Sequence, residues 1–441
     1  MTDITVHFDS RIGPLKRLHG VNNGPEGYGA LVDVSHYYKQ AQFPLVRLHD
    51  PNWPHAWEVD IHTIFPDFAK DPADPDSYDF TRSDTYIGKI LATGAQILFR
   101  LGESIEHTPH KYYVHPPADF ERWAQICVGI IRHYNFGWAD GFHYNIAYWE
   151  VWNEPDVSNA RMWSGTMEQY FELYRVTARA IKQLDPALKV GGPAAAAADS
   201  ELAQAFLQMC RDRQLPLDFF SWHVYTIDPE RIRQMASYVR HQLDAFGFAA
   251  TESVFDEWNY MDSSLWSVIF EPGSEYMRKE MFERSKGVEG ASFAAAVLTM
   301  LQECPVDQAN YYDAQPHALF CGLFDYYGVP QKAYYAFDAF NRLAQFPHRV
   351  EAAPCEGAQG LYCCAAVNDD GEAAVLISNY GTGTRMYELA LNGLATGLRG
   401  ELYVLDRERN LQPEPLPPIA SGRMSLLIPQ HAVMLLKFVA V

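Results

Sequence analysis

Between about residues 14 and 345 the sequence alternates short apolar runs with longer amphipathic segments. This is the rhythm of repeated β-α units feeding a parallel sheet. The apolar runs are Leu18 to Asn22, Pro44 to His49, Ala95 to Leu101, Ile146 to Asn153, Lys189 to Gly192, Leu217 to His223, Ser253 to Glu257 and Val306 to Tyr312. Eight strands are what a closed barrel requires, so the expected fold is α/β, a (β/α)8 TIM barrel over residues 14–345. Stretches such as Phe120 to His133 and Met167 to Leu184, the second with Phe171, Tyr174, Ala178 and Ile181 at helical spacing, supply the outer ring. The spacing between strands is uneven, with long insertions after the second and seventh. Excess on one rim of a barrel builds a substrate pocket, and the largest insertion, Asn52 to Tyr86, is rich in aromatics and prolines.

Beyond about residue 346 the pattern becomes strands and turns, in Gly360 to Val367, Ala373 to Tyr380, Met386 to Leu391, Glu401 to Leu405 and Val433 to Val439. This predicts an accessory β-sandwich over 346–441. The strand Ile4 to Phe8, within residues 1–13, precedes the first barrel run and is expected to join that sandwich.

Composition narrows the function. A net charge of -20 repels phosphate backbones and anionic lipid, so neither a nucleic acid nor a membrane surface is an expected partner. Aromatic residues make up 14% of the chain, and beyond filling a core their faces suit stacking on sugars. The N-terminus MTDITVHFDS lacks the basic and apolar regions of a signal peptide, and the apolar stretch Ala291 to Leu301 is too short to span a bilayer. Seven scattered cysteines, an odd number without zinc spacing, fit a reducing cytoplasm. His107, His110 and His115 lack the carboxylate or helical spacing of a catalytic zinc site, so no metal is expected. Gly24, Gly27 and Gly29 resemble half a dinucleotide loop, but Val32 occupies the third glycine position, and no cofactor is expected.

Chemistry concentrates in Tyr148-Trp149-Glu150-Val151-Trp152-Asn153-Glu154-Pro155-Asp156, which reads as a strand until Pro155 removes a backbone donor. Glu154 therefore stands at a strand's C-terminal end, where barrels carry their active sites. Glycoside cleavage needs a second carboxylate opposite the first. The candidate is Glu257 in Val254-Phe255-Asp256-Glu257-Trp258-Asn259, with Asp256 and Glu252 as rivals. Side-chain alternation sets Asp256 and Glu257 on opposite faces, so only one of them is expected to point inward. Arg47 is expected to partner Glu150 inside the barrel, to serve the nucleophile, or both. Tyr311, Tyr312 and Asp313 either line the sugar site or pack the barrel.

With those residues in place, the chain resembles glycoside hydrolase family 39, whose members include β-xylosidases and α-L-iduronidases, within the clan of barrels whose acid/base follows an Asn on the fourth strand. Glu150-Val151-Trp152-Asn153-Glu154-Pro155-Asp156 carries the resemblance, with Ala147 and Trp149 standing where a Trp and a Phe are usual. Val21-Asn22-Asn23, Arg47-Leu48-His49, Tyr170 to Lys182, Val190-Gly191-Gly192-Pro193-Ala194 and Asp218 through Thr226 follow in the family's order. Asp256 replaces the usual Thr before the nucleophile. The resemblance implies Glu154 as acid/base, Glu257 as nucleophile, Asn153 bonded to the sugar hydroxyl beside the reacting carbon, and His49, His223 and Tyr225 around the sugar. Arg47 and Tyr225 could orient Glu257 and keep it ionised, and Tyr312 is a further candidate for the sugar site. The implied activity is that of a retaining, exo-acting β-xylosidase on an oligosaccharide or small glycoside, needing no cofactor. Other specificities of the family, such as α-L-iduronidase, arabinosidase or endo-glycosidase, are alternatives, as is an inactive carbohydrate-binding barrel. Nothing in the spacing dictates an oligomeric state.

Overall fold

A computed structural model of the chain describes all residues except 1, 28, 53–57, 317–321, 356 and 441. Eight strands close a parallel barrel: β1 (Gly20–Asn22), β2 (Leu45–Leu48), β3 (Gln96–Leu101), β4 (Tyr148–Val151), β5 (Lys189–Ala195), β6 (Phe219–Thr226), β7 (Glu252–Tyr260) and β8 (Gln308–Tyr311). Each falls on one of the eight apolar runs. Closure is made where Tyr311 of β8 pairs with Val21 of β1 and Val21 pairs with Val46 of β2. Between β5 and β6 the backbones approach so closely that a Cβ on Gly191 would lie 2.2 Å from the carbonyl oxygen of Phe219, which only glycine tolerates.

Alternation along the strands fills the barrel interior in layers. Leu45, Leu98, Phe219 and Val254 form an apolar floor, with Tyr148 packed against it. Two residues further along the same strands come Arg47, Arg100, Glu150, Ser221 and Asp256, all fully buried. The third level opens at the C-terminal rim.

The outer helices follow their sequence signals. Met167–Leu184 begins with a capping box in which the Thr166 hydroxyl accepts from the Gln169 amide and the Gln169 side chain accepts from the Thr166 amide. Phe120–Phe136 starts at Asp119, which caps the Arg122 amide, and ends at Gly137 in the left-handed region (φ 71°). The insertion after β2 carries the short helix Ile61–Ile64 and the start of helix Thr81–Leu91; its residues 53–57 lie outside the described ones. The insertion after β7 holds a 3-10 segment, Ser263–Ile269, and the helix Glu275–Lys286.

Glu26–Gly27 and Val32–Asp33 pair as a small two-stranded ribbon, and nine further strands form a sheet in which Ile4–Pro14 runs antiparallel to His348–Pro354 and parallel to Arg385–Asn392. Val6, Leu389 and Met424 from one half share an apolar core with Val375, Leu402 and Met434 from the other. The stretch around Ala291 to Leu301 belongs to helix Val288–Met300, which is apolar all round because it is buried between barrel and sheet. Ser378 of the sheet donates to the Ser292 carbonyl at 2.7 Å. Among the described residues no helix is long and apolar enough to cross a membrane.

Candidate active site

Arg47 organises the middle of the barrel. Its guanidinium donates from Nε to Glu150 at 2.8 Å, from Nη1 to Glu257 at 2.8 Å and to Asn22 at 3.2 Å, and from Nη2 to Asn153. Asp256 lies 3.0 Å from Nε. Partnering Glu150 and serving the nucleophile candidate are thus combined in one side chain. Burial opposes the charge on Arg47, but Glu150, Asp256 and Glu257 more than offset it and hold the guanidinium ionised. Among the acids, burial and the adjacent Asp256 push Glu150 well above the usual carboxylate range, so Glu150 is the neutral member. Burial also opposes ionisation of Asp256, but Arg47 and His223 overcome it and bring the carboxyl below its ordinary value.

The expectation that Asp256 and Glu257 face opposite ways is wrong. Both are buried and both reach Arg47. The cause is a β-bulge: Phe255 pairs with Trp222 and Glu257 with His223, so Asp256 is an extra residue on β7. Normal alternation delivers Asp256 to the Arg47 layer, and the bulge then turns Glu257 inward one level higher. Glu257 accepts 2.6 Å from the Tyr225 hydroxyl. Burial pushes its carboxyl above the ordinary glutamate value, with Glu154 adding to the effect, while His223, Arg47 and Tyr225 pull the other way. Glu252, the other rival, sits at the opposite end of β7, bonded to the Tyr148 hydroxyl and to Lys189.

Glu154 follows β4 on a strained turn. Trp152 and Glu154 both lie in the left-handed region, at φ 72° and 44°, a conformation that non-glycine residues keep only when surroundings enforce it. The enforcing contacts are the Trp152 amide to the Leu101 carbonyl (2.8 Å), the Trp152 indole to the Met162 carbonyl (2.7 Å) and the Glu154 amide to the Ala194 carbonyl (2.9 Å). Glu154 Oε1 meets His223 Nδ1 at 2.8 Å, and the same nitrogen lies 3.6 Å from Glu257 Oε2. One carboxylate oxygen of Glu154 and one of Glu257 lie within 4.8 Å of each other.

The two carboxylates open into a cavity of about 300 Å³ lined also by His49, Tyr225 and Tyr312. Asn153 is held by its Oδ1, which accepts from Arg47, leaving Nδ2 buried and without a partner among the described residues. Burial, with Arg100 and Arg47 nearby, keeps His49 neutral, far below its ordinary value. Tyr312 and Asp313 line the cavity, whereas Tyr311 points outward against Trp258 and Phe337 at ring distances of 5.1 and 5.2 Å.

Several lining residues were not expected. Asp50 and Gln315 face the cavity from the loops after β2 and β8, and burial pushes the carboxyls of Asp50 and Asp313 up to about 7. Three loops meet at the mouth: the ring of His107 (after β3) is 5.0 Å from Phe270 (after β7), and the guanidinium of Arg161 (after β4) stands 4.5 Å from the Phe270 ring. His110 and His115 instead go to Tyr112 and Ser164, so the three histidines do not converge.

Apart from the central Glu154, His223 and Glu257, one other group of possible metal-ligating atoms occurs among the described residues: Asp60, His62 and Glu103. There Asp60 already receives the Arg100 guanidinium at 2.7 Å and the Ser104 amide and hydroxyl at 2.9 and 3.0 Å. His62 and Glu103 bond directly to each other.

Comparison with known proteins bears on the family and the fold. Residues 34–250 match the model of "Glycosyl hydrolases family 39". Over that stretch, just under half of its length, the chain is similar to glycosyl hydrolase family 39. Within the chain, 146 residues are 38% identical to a beta-xylosidase of Geobacillus stearothermophilus, covering 32% of this chain and 26% of that protein. Over 311 residues it is 27% identical to a beta-xylosidase of Caldicellulosiruptor saccharolyticus, covering 67% and 59%. The chain thus spans from about a quarter to three-fifths of the length of these curated relatives. The crystal structure of a glucosidase from Croceicoccus marinus superposes with a TM-score of 0.83 at 26% identity, covering 100% of this chain and 99% of the other. The family 39 match contains Arg47, His49, Asn153, Glu154, His223 and Tyr225 but stops short of Asp256, Glu257 and Tyr312.

Proposed function

We propose that this protein is a retaining glycoside hydrolase of family 39 that removes a terminal sugar, with Glu257 as nucleophile and Glu154 as acid/base. The observation that carries the reading is the approach of the two carboxylates, whose facing oxygens lie within 4.8 Å. Retention needs carboxyl groups about 5 to 5.5 Å apart, whereas inversion needs about 6.5 to 9.5 Å to admit a water. Glu257 attacks the anomeric carbon while Glu154 protonates the leaving oxygen; Glu154 then activates the water that releases the sugar. The unpartnered Asn153 amide is available to the hydroxyl beside the reacting carbon, and His49 and Tyr312 border the sugar. No cofactor takes part in this chemistry.

An exo mode is supported by the meeting of His107, Arg161 and Phe270 over the mouth, which favours a pocket over an open cleft. A β-xyloside is the first choice of substrate because both curated relatives are beta-xylosidases. A β-glucoside is the second, favoured by the glucosidase that matches over the whole chain. A uronate, which would meet Asp50 and Asp313 but also Arg278 in the cavity, is the third. The six described cysteines are free, in keeping with a cytoplasmic site of action.

The test is a panel of aryl glycosides, with the anomer of the first-formed product followed by NMR. Turnover of the β-xyloside with a β-product is expected. Inverted product overturns the mechanism, and binding without turnover of any member favours the carbohydrate-binding alternative.

A further inference from the structure

Asp256 is fully buried, is not itself among the residues lining the cavity, and yet stands against the imidazole that joins the two carboxylates. His223 Nε2 lies 3.3 Å from Asp256 Oδ1, while its Nδ1 lies 2.8 Å from Glu154 and 3.6 Å from Glu257. One nitrogen of the ring thus lies at ion-pair distance, without an aligned hydrogen bond, from a carboxylate that takes no part in bond making, and its other nitrogen faces both carboxylates that do.

Building on the retaining mechanism proposed above, we propose that Asp256 is a positioning residue that holds His223 as an imidazolium, and that His223 balances the negative charge as it passes between Glu257 and Glu154. In the first step a Glu257 oxygen bonds to the anomeric carbon and the bond from that carbon to the leaving oxygen breaks. The electron pair departs with that oxygen, which takes the proton of Glu154. Glu257 has become a neutral ester and Glu154 a carboxylate. In the second step Glu154 takes a proton from water, the water oxygen bonds to the anomeric carbon, and the ester electrons return to Glu257. One negative charge therefore moves across the site and back.

The surrounding charges match this account. Facing His223 are Asp256 and Glu257 on β7 and Glu154 after β4; Tyr225 on β6 bonds to Glu257, and Arg47 on β2 and the neutral His49 just after it lie behind them. With Glu150 neutral, Arg47 and His223 balance Asp256 and Glu257 at rest, and balance Asp256 and Glu154 in the intermediate. A neutral imidazole would leave a net negative charge in the buried site at both stages, and a negative charge there is costly without a partner. Burial opposes the imidazolium, but the charges of Glu257 and Asp256 outweigh it and raise His223 well above its ordinary value.

The test is the protonation state of His223 by 15N NMR on the full chain, its signal identified by its loss in His223→Gln. An imidazolium at pH 7 is expected in the wild type. It should persist when Glu257 is esterified by a 2-deoxy-2-fluoro glycosyl donor. In Asp256→Asn the His223 titration should fall by about one to three pH units, the range expected for loss of one adjacent charge. There kcat should drop by about tenfold or more with KM little changed, and Asp256→Glu should recover part of the loss. A neutral His223 in the wild type at pH 7, or an unmoved titration in Asp256→Asn, overturns the assignment. The wild-type measurement stands if Asp256→Asn does not fold. Because it does not depend on turnover, it also separates failure of this inference from failure of the glycosidase reading.

Discussion

Asp256 and Glu257, neighbours in the chain, both reach the same guanidinium, Asp256 at 3.0 Å from Arg47 Nε and Glu257 at 2.8 Å from Nη1. The bulge on β7 makes this possible, and it ties the nucleophile candidate to the charge layer in the barrel core.

Arg47 is therefore expected to matter for stability as much as for chemistry. Arg47→Met leaves Glu150, Asp256 and Glu257 without their shared cation and should cost about 3 to 5 kcal/mol, as for other broken buried pairs. Urea denaturation measures this, and a cost under about 1 kcal/mol would contradict the role given to the layer.

Removing the two carboxylates should have different consequences. Glu154→Ala is expected to slow cleavage of poor leaving groups by about 10²- to 10⁴-fold while sparing activated aryl glycosides in part. Glu257→Ala should lose turnover altogether unless azide or another small nucleophile is supplied. Equal, complete losses in both variants with every substrate would defeat the assignment.

The acid limb of the rate profile should reflect Glu257. Burial raises its carboxyl above the ordinary glutamate value. As pH falls through that raised value Glu257 gains a proton and ceases to be a nucleophile. The lower limb of kcat/KM against pH should accordingly lie above 4.5, the ordinary value of the group. A limb below it would mean that Arg47 and Tyr225 prevail over burial.

Asp50 and Asp313 make stability fall as pH rises from acidic to neutral. Both are raised from 3.8 to about 7 in the folded chain, so between those values the folded state binds protons that the unfolded state does not. Their contribution is fully present below 3.8 and lost as pH rises through about 7. The Tm measured by calorimetry should decline between pH 5 and pH 8, and Asp50→Asn should flatten that decline. An identical slope in the variant would remove Asp50 from the account.

The barrel was legible because its strands are short apolar runs and its helices carry periodic faces and caps, as at Thr166 and Gln169. Glu154 was legible because Pro155 and two tryptophans mark a strand end nearby, although β4 stops at Val151, earlier than Pro155 suggests, and a left-handed turn through Trp152 carries the chain on to Glu154. Strict alternation failed at Asp256, where one extra residue redirects the next side chain, and no residue type in Phe255-Asp256-Glu257 announces a bulge. Asp50 carried a partial signal, an acidic residue directly after His49 at a strand end. Gln315, His107, Arg161 and Phe270 carried none, since loops have no period and these residues meet only when distant segments cross the rim. The free amide of Asn153 depends on what Arg47 does to its other end, which spacing along the chain does not encode.

The buried layer of Arg47, Glu150 and Asp256 also has a consequence for engineering. Buried ion clusters are often less stable than well-packed apolar side chains of the same volume. Although each single change strands a charge, joint replacement of the three by methionine and leucine is what selection of this protein for heat tolerance alone would favour. The hardiest survivors would be barrels that no longer turn over substrate, so any such campaign has to screen activity and melting temperature together.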